Sequence, residues 1–251
     1  MDLGLAGRTY IVGGASRGLG RATAAALHAE GASVVIAARD QRALDDTARR
    51  IGLRAWPYAV DLADPHAGDI LTDYAVTRTG RVDGALLNVG GPAPGNALDI
   101  DDDAWRGAFE SAFLGPLRLA RVVARRLGRD GALLFLLSSS VRSPISGLAT
   151  SNGLRPGLAM VAKQLSDELG PRGIRVNVLL PGRIATERVA QLDSVTGDPA
   201  TSRARYEAAI PLRRYGDPAE LGRVAAFLLS PAASYVTGTA LAVDGGAMRC
   251  L

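Results

Sequence analysis

The chain has 251 residues, 47% of them hydrophobic and 22% charged, so it can bury one large core. Its net charge of +4 arises from interspersed acidic and basic residues, without the basic runs and aromatics typical of nucleic-acid binding. The single cysteine, Cys250, excludes an intrachain disulfide and a multi-cysteine metal site. We find no signal peptide and no run of about eighteen apolar residues, so we expect a cytoplasmic protein with no nucleic-acid or membrane partner.

Predicted strands and helices alternate along the chain. Strands are predicted at 8–13, 33–38, 54–60, 83–88, 132–138, 174–180 and 240–243, and helices at 18–30, 41–51, 66–80, 102–128, 156–170 and 217–229. Nearly continuous apolar strands suit a sheet that is covered on both faces. The sequence therefore predicts one α/β domain over residues 1–251, a doubly wound Rossmann fold with a mostly parallel, seven-stranded sheet and helices on both faces.

Residues from about 187 to 212 break this alternation. The segment mixes Ser194, Gly197, Asp198 and Pro199 with short helical pieces. A long irregular connection late in such a fold is often functional, so we predict a substrate lid at about 187–212. A merely long surface connection is the alternative.

A glycine-rich turn follows the first predicted strand. Residues 8–12 lead into Gly13-Gly14-Ala15-Ser16-Arg17-Gly18-Leu19-Gly20, and a helical pattern begins at once. In such a turn Gly14 permits the tight turn, Gly18 lets the backbone approach a pyrophosphate, and Gly20 allows close packing of helix on sheet. The helix N-terminus adds free N–H groups and a positive dipole end. This segment predicts a dinucleotide site.

The glycine spacing, G-x-x-x-G-x-G, and several later motifs resemble the short-chain dehydrogenase/reductase family. The resemblance implies hydride transfer between a nicotinamide cofactor and a carbonyl or secondary alcohol. The later motifs follow the family's order over nearly the whole chain: Asp61-Leu62, Asn88-Val89-Gly90-Gly91, Gly173-Ile174-Arg175-Val176-Asn177, Pro181-Gly182-Arg183-Ile184-Ala185-Thr186, Tyr235-Val236-Thr237-Gly238 and Val243-Asp244-Gly245-Gly246.

The resemblance also implies cofactor contacts at matching positions. Asp61 would accept a hydrogen bond from the adenine amine beside the Leu62 backbone, and Asn88 and Gly90 would flank the adenosine ribose. The nicotinamide amide would be placed by Pro181, Gly182, Ile184 and Thr186, and the glycine turn would contribute Gly14, Ser16, Arg17, Gly18, Leu19 and Gly20.

The choice between the two nicotinamide cofactors depends on the end of the second predicted strand. An acidic residue there would hold the ribose 2′-hydroxyl of NAD and repel a 2′-phosphate. Here Arg39 follows the strand, and Arg17 lies in the glycine turn. Two guanidinium groups can pair with a phosphate, so we predict NADP. Asp40 weakens this prediction, and NAD stays the less favoured alternative.

Three of the four catalytic positions implied by the resemblance hold other residues. The family uses a tyrosine as general acid or base, a lysine that lowers the tyrosine's pKa, a serine and an asparagine. Alignment on the later motifs places Ser151 at the tyrosine position, Arg155 at the lysine position and Ala112 at the asparagine position. Ser-x-x-x-Arg in place of Tyr-x-x-x-Lys resembles a divergent subgroup of the family.

These replacements change the chemistry that is possible. A phenol titrates near 10, and an aliphatic hydroxyl such as that of Ser151 is a far weaker acid. Arg155 keeps the positive charge and could bind ribose hydroxyls, but a guanidinium does not exchange a proton usefully. Gly153 and Pro156 predict that the helix here begins later than, or differently from, the helix in relatives with the usual pair.

The serine position has two candidates. The spacing to Ser151 selects Ser138, whereas the local Ser-Ser-Val context selects Ser140. A purely structural strand-end hydroxyl is an equal alternative. Tyr206, in the predicted lid, is either a second source of a phenol or a packing residue.

We predict an NADP-dependent oxidoreductase with catalytic candidates Ser138, Ser140, Ser151 and Arg155. The alternatives are a non-catalytic dinucleotide-binding sensor or partner subunit, and a non-redox enzyme that uses the same cleft. An apolar stripe of Trp105, Phe109, Phe113 and Leu117, together with the helix after Arg155, is where the family forms oligomers. We therefore expect a homodimer or homotetramer, or a stripe that is buried only against its own sheet.

Overall fold

A computed structural model describes residues 2–195 and 198–250. In this part of the chain, seven parallel strands form one sheet in the order β3-β2-β1-β4-β5-β6-β7. The predicted doubly wound Rossmann sheet is confirmed. The strands are β1 (Thr9–Gly13), β2 (Ser33–Ala38), β3 (Ala55–Ala59), β4 (Gly84–Leu87), β5 (Ala132–Leu136), β6 (Arg175–Pro181) and β7 (Ala240–Val243).

Nine α-helices connect the strands in the described residues. They are α1 (Gly18–Ala29), α2 (Gln41–Ile51), α3 (Ala67–Thr79), α4 (Asp102–Phe109), α5 (Gly115–Arg126), α6 (Ala149–Leu169), α7 (Glu187–Val195), α8 (Pro199–Ala209) and α9 (Pro218–Leu229). None of these helices is both long enough and apolar enough to cross a membrane.

Each face of the sheet has its own apolar core because successive strand side chains point to opposite faces. Ile11 faces the core that includes Leu117 of α5 and Leu158 of α6. Tyr10 and Val12 face the other core, which includes residues of α1, α2 and α9. The continuous apolar strands seen in the sequence therefore reflect burial on both faces.

The helix predicted at 102–128 runs without a break from Asp102 to Arg126, but it contains a π-helical turn at Glu110–Leu114 between α4 and α5. Ser111 Oγ donates to the carbonyl oxygen of Gly107 at 2.8 Å in the last turn of α4. At the start of α5, a Cβ on Gly115 would lie 2.6 Å from the Leu62 carbonyl oxygen. Ala112, which the resemblance places at the asparagine position, lies in this irregular turn.

The predicted late start of the helix at 156 is wrong. Helix α6 begins at Ala149 and carries Pro156 in its interior. Pro156 removes one helical donor, but tertiary contacts hold the turns that precede it. The Asn152 side chain exchanges two hydrogen bonds of 2.9 Å with the backbone of Ile145, and a Cβ on Gly153 would lie 2.9 Å from the Trp105 ring. Local propensity is therefore overridden by packing.

The segment predicted as a lid contains helices α7 and α8. Asp198 caps α8 by accepting a 2.8 Å hydrogen bond from the Thr201 N–H. Gly197, one of the residues on which the lid prediction depended, lies outside the described residues. The lid itself stays a prediction.

Candidate active site

One large cleft, about 1530 Å³ in volume, opens at the carboxyl ends of the strands. Strand β1 lies between β2 and β4 at the point where the order of the sheet reverses. Connections leave β1 and β4 in opposite directions there, and ligands of doubly wound folds bind in the crevice that results. The volume is sufficient for a dinucleotide and a small substrate.

The glycine turn forms one wall of this cleft. Gly14 has φ +58°, and a Cβ on it would lie 2.6 Å from Asn88 Nδ2. A Cβ on Gly20 would lie 2.3 Å from the Gly14 carbonyl oxygen. The Arg17 side chain at the N-cap of α1 forms no cap hydrogen bond in the described residues, so the first N–H groups of this helix can face an anion. The turn therefore has the shape and polarity of a phosphate cradle.

Residues after β3 and β4 line the adjoining wall. Asn88 Nδ2 donates to the carbonyl oxygen of Gly13 at 3.0 Å and so fixes the glycine turn from the neighbouring strand. One carboxylate oxygen of Asp61 accepts from the Ala63 N–H at 3.0 Å. Asp61 is exposed and lines the cleft. The cleft thus brings together all fifteen predicted cofactor positions: Gly14, Ser16, Arg17, Gly18, Leu19, Arg39, Asp61, Leu62, Asn88, Gly90, Pro181, Gly182, Ile184 and Thr186 line it, and Gly20 packs directly behind Gly14.

The charges after β2 favour a phosphate. Arg17 and Arg39 are both exposed and line the same end of the cleft. Asp40 accepts a 3.1 Å hydrogen bond from the Ala43 N–H and is the N-cap of α2. Its carboxylate is thereby used by the helix terminus, which is a stabilising position for an acid. Asp40 thus has a structural role at the start of α2, and it also lines the cleft beside Arg39.

The loop after β6 forms the far end of the cleft. A Cβ on Gly182 would lie 2.6 Å from Asp244 Cβ, so only glycine fits between these two segments. Thr186 lies close to the glycine turn, because a Cβ on Gly18 would be 3.7 Å from Thr186 Cγ2. Thr186 Oγ1 accepts from the Val189 N–H at 3.3 Å and starts α7. This loop and the glycine turn therefore approach each other closely at Thr186 and Gly18.

The two candidate serines have different environments. Ser138 lines the cleft, and its Oγ accepts from the Ser140 N–H at 3.1 Å. Ser140 is buried, and its Oγ lies 3.1 Å from Ser151 Oγ. Ser151 is also buried and lines the cleft. The structure therefore places Ser138 at the cleft wall and Ser140 behind Ser151.

Arg155 is a buried cation at the same end of the cleft. It is 8% exposed, and its Nη1 donates to the carbonyl oxygens of Leu136 and Leu137 at 3.3 and 2.6 Å. Its Nε is buried without a hydrogen-bond partner among the described residues. Burial, and secondarily the charge of Arg188, lowers the pKa of Arg155 to about 10. The guanidinium therefore stays protonated at neutral pH.

Sequence reasoning missed Arg188, the second residue of α7. Its Nη2 donates to the Pro92 carbonyl oxygen at 2.7 Å, which joins α7 to the loop after β4 across the cleft. Burial lowers the pKa of Arg188 below its ordinary value. Its position two residues after Thr186 was the only sequence signal. Tyr206 also lines the cleft, with its ring 3.5 Å from the Arg183 guanidinium, and so has a packing partner.

Comparison with known proteins places this geometry in a family. A family model described as enoyl-(acyl carrier protein) reductase matches residues 14–248. An uncharacterized oxidoreductase of Mycobacterium tuberculosis is 36% identical over 95% of this chain and 91% of its own length. The L-xylulose reductase of Mus musculus is 32% identical over 98% of each chain.

A solved structure resembles the whole chain. It is the L-sorbose reductase of Gluconobacter frateurii complexed with NADPH and L-sorbose, with a TM-score of 0.91, 28% identity and coverage of 100% of both chains. The common architecture extends over both walls of the cleft.

Proposed function

We propose that this chain, which belongs to the short-chain dehydrogenase/reductase family of oxidoreductases, is an NADP-dependent oxidoreductase of a carbonyl or secondary alcohol. The observation that carries the proposal is that one cleft joins the glycine turn and Thr186 to the Ser138, Ser151 and Arg155 cluster. A dinucleotide that follows the family's path would end at that cluster. The atypical catalytic pair is part of the proposal.

Two arginines, and one aspartate that caps a helix, favour NADP over NAD. Arg17 and Arg39 line the end of the cleft where a 2′-phosphate would lie, and Asp40 is used as a helix cap. The NADPH-bound state of the related L-sorbose reductase agrees with this choice. An Arg–phosphate pair is charge-assisted and geometrically specific. NAD has no 2′-phosphate, so it would leave these arginines without that partner.

The proposed roles of the substrate-side residues follow from their positions. When it is bound, the reduced nicotinamide supplies the hydride. Ser138 Oγ, at the cleft wall, hydrogen-bonds the substrate's oxygen. Ser151 relays a proton: its hydroxyl gives its proton to that oxygen as it accepts another from water or from the ribose hydroxyl, and Ser140 orients the Ser151 hydroxyl. Without a phenol this is a slow route, since a well-placed general acid is worth about 10² to 10⁴ in rate.

Arg155 is proposed to bind the nicotinamide ribose and to hold the local field positive. Its Nη1 is anchored on two carbonyl oxygens of the β5 end, which fixes the guanidinium in place. It does not act as a proton donor, because at a pKa of about 10 it keeps its proton at neutral pH. Its function is therefore positioning and electrostatics.

A second candidate function is a non-catalytic dinucleotide-binding sensor or partner subunit. The specific observation that favours it is the combined replacement at Ser151, Arg155 and Ala112, with Ala112 buried in the π turn. A non-redox enzyme that uses the same cleft is the third. Both alternatives keep the cofactor end of the cleft, and both differ from the proposed function in that NADPH is not oxidised.

We further propose a cytoplasmic homodimer or homotetramer with a lid formed by α7 and α8. The contact would involve α5 and α6, as the family resemblance implies. Met160 on α6 is 70% exposed and Phe109 at the end of α4 is 40% exposed, which provides apolar area for such a contact.

Titration calorimetry with NADPH and NADH, followed by NADPH oxidation on a panel of ketones and aldehydes, tests the proposal. We expect tighter binding of NADPH and turnover that decreases in Arg155→Ala. Tight binding with no turnover across the panel favours the sensor or partner. If neither nucleotide binds, the proposal is refuted.

A further inference from the structure

Two guanidinium groups at the substrate end of the cleft are without carboxylate partners in the described residues. Among the described residues, Arg155 donates only to main-chain carbonyl oxygens, and its Nε has no partner there. In the same part of the chain, Arg188 forms one hydrogen bond, to the Pro92 carbonyl oxygen. A buried or half-buried cation that faces only neutral acceptors is costly unless an anion compensates it. An anion is therefore the missing partner at this end of the cleft.

The acidic side chains that line this part of the cleft are engaged or exposed. Asp244 accepts from the backbone N–H groups of Gly246 and Met248 at 2.9 and 2.8 Å. Glu187 is exposed and forms no ion pair with Arg155 or Arg188 in the part of the chain that the structure describes. The nearby Arg183 is neutralised by Asp193 at 2.7 Å, unlike the other two arginines. The local charge is therefore positive.

Arg188 lies on the wall of the cleft that also holds the substrate-side cluster. A Cβ on Gly91 would lie 3.4 Å from Arg188 Nε, so the guanidinium lies over the loop that follows β4. Arg188, Ser138, Ser151 and Arg155 line the same cleft. The phosphates of a dinucleotide have other partners, namely the N-terminus of α1 and the Arg17–Arg39 pair.

We propose that the substrate carries an anionic group, a carboxylate or a phosphate monoester, and that Arg188 binds this group with support from the charge of Arg155. The inference rests on the proposed function for the identity of the cleft. Arg188 is then a specificity-determining residue: it would discriminate oxo acids or phosphorylated ketones from neutral ones by a charge-assisted hydrogen bond.

The test measures binding rather than turnover. Protein saturated with NADP⁺ is titrated with matched probes: pyruvate, acetoacetate and levulinate against their methyl esters, and dihydroxyacetone phosphate against dihydroxyacetone. We expect at least one anion to bind about tenfold or more tightly than its neutral partner, as is typical of a charge-assisted contact. The ester pairs report on a carboxylate, and the last pair reports on a phosphate.

Variants distinguish a role of Arg188 in substrate binding from a role in cofactor binding. In Arg188→Met the preferred anion should bind no better than its neutral partner, whereas Arg188→Lys should keep most of the preference. Arg223→Met, which removes an exposed charge outside the cleft, should change nothing. The NADPH dissociation constant should stay within about threefold in all variants.

Two results would overturn the inference. One is equal binding of anion and neutral partner in every pair. The other is an Arg188→Met variant that loses NADPH affinity with its anion preference unchanged, which would assign Arg188 to the cofactor. Anion preference without any turnover would support the anion site and favour the sensor or partner over the redox function. Turnover of neutral ketones without anion preference would support the redox function and overturn the anion site.

Discussion

Ser140 Oγ and Ser151 Oγ lie 3.1 Å apart and form a buried hydroxyl pair, at the position where we propose that Ser151 replaces the family's tyrosine. Both residues are nearly inaccessible, at 4% and 5% exposure. A hydroxyl pair of this kind can relay a proton in either direction, because each oxygen is both donor and acceptor.

Removing the Ser151 hydroxyl should slow the reaction without weakening the binding of the cofactor. We expect Ser151→Ala to lower kcat by about 10²-fold, the lower end for general acid catalysis, with the NADPH dissociation constant unchanged. Ser140→Ala should have a smaller effect because it only orients Ser151. Steady-state kinetics gives both values, and Ser146→Ala, exposed and outside the cleft, is the matched control. A wild-type kcat in Ser151→Ala would exclude this proton route.

The two arginines at the 2′-phosphate end should determine cofactor preference. Arg39→Ser and Arg17→Ser should each raise the NADPH dissociation constant about tenfold or more, because each removes a charge-assisted bond. The NADH dissociation constant should be nearly unaffected. Arg42→Ser, an exposed arginine on α2 that does not line the cleft, is the matched control. Equal losses for NADPH and NADH would show that the arginines do not read the 2′-phosphate.

Close packing at Gly20 should be essential to the fold of the glycine turn. Its added Cβ would lie 2.3 Å from a backbone oxygen, so Gly20→Ala should lower the free energy of unfolding by about 1–3 kcal/mol or more. Gly107→Ala is the control, because a Cβ on this α4 glycine meets nothing within 4 Å and should raise helix stability by up to about 1 kcal/mol. Urea unfolding of the apo protein measures both. Equal effects of the two substitutions would contradict this packing.

Glu220 should make the stability of the folded protein depend on pH. The Arg214 side chain, and then the Asp217 N–H, lower the pKa of Glu220 from 4.5 to about 2. Since the folded state holds the carboxylate in its charged form, the stabilisation is present above pH about 4.5 and is lost as the pH falls through about 2. Glu220→Gln should therefore lower Tm near neutral pH, and its difference from the wild type should shrink between pH about 4.5 and 2. A difference in Tm that is the same at neutral and acidic pH would contradict this assignment.

The fold could be predicted from the sequence because its signals are local and repeated. Apolar strands such as 33–38 are continuous because both faces are buried, and the observed β2 has the predicted bounds. The predictions failed where tertiary contacts override local preference. Pro156 marks a helix start by propensity, yet the Ser140–Ser151 and Asn152–Ile145 contacts hold the earlier turns.

The candidate site was only partly predictable for a related reason. The glycine turn and the Thr186 loop are contiguous motifs, so their residues can be read in order. Arg188 contacts Gly91 and Pro92, which are almost a hundred positions away, and no local pattern records such a contact. The choice between Ser138 and Ser140 likewise required the direction of each hydroxyl, which spacing alone does not contain.

The most direct measurement follows deuterium from NADPH deuterated at the reactive carbon of its nicotinamide. The wild-type protein is mixed with this cofactor and the panel of ketones, aldehydes and oxo acids, and the products are analysed by mass spectrometry. We predict that at least one product gains a single deuterium in an amount equal to the NADP⁺ formed. Saturating NADPH binding with no label in any product would contradict hydride transfer at the Ser151–Arg155 cluster.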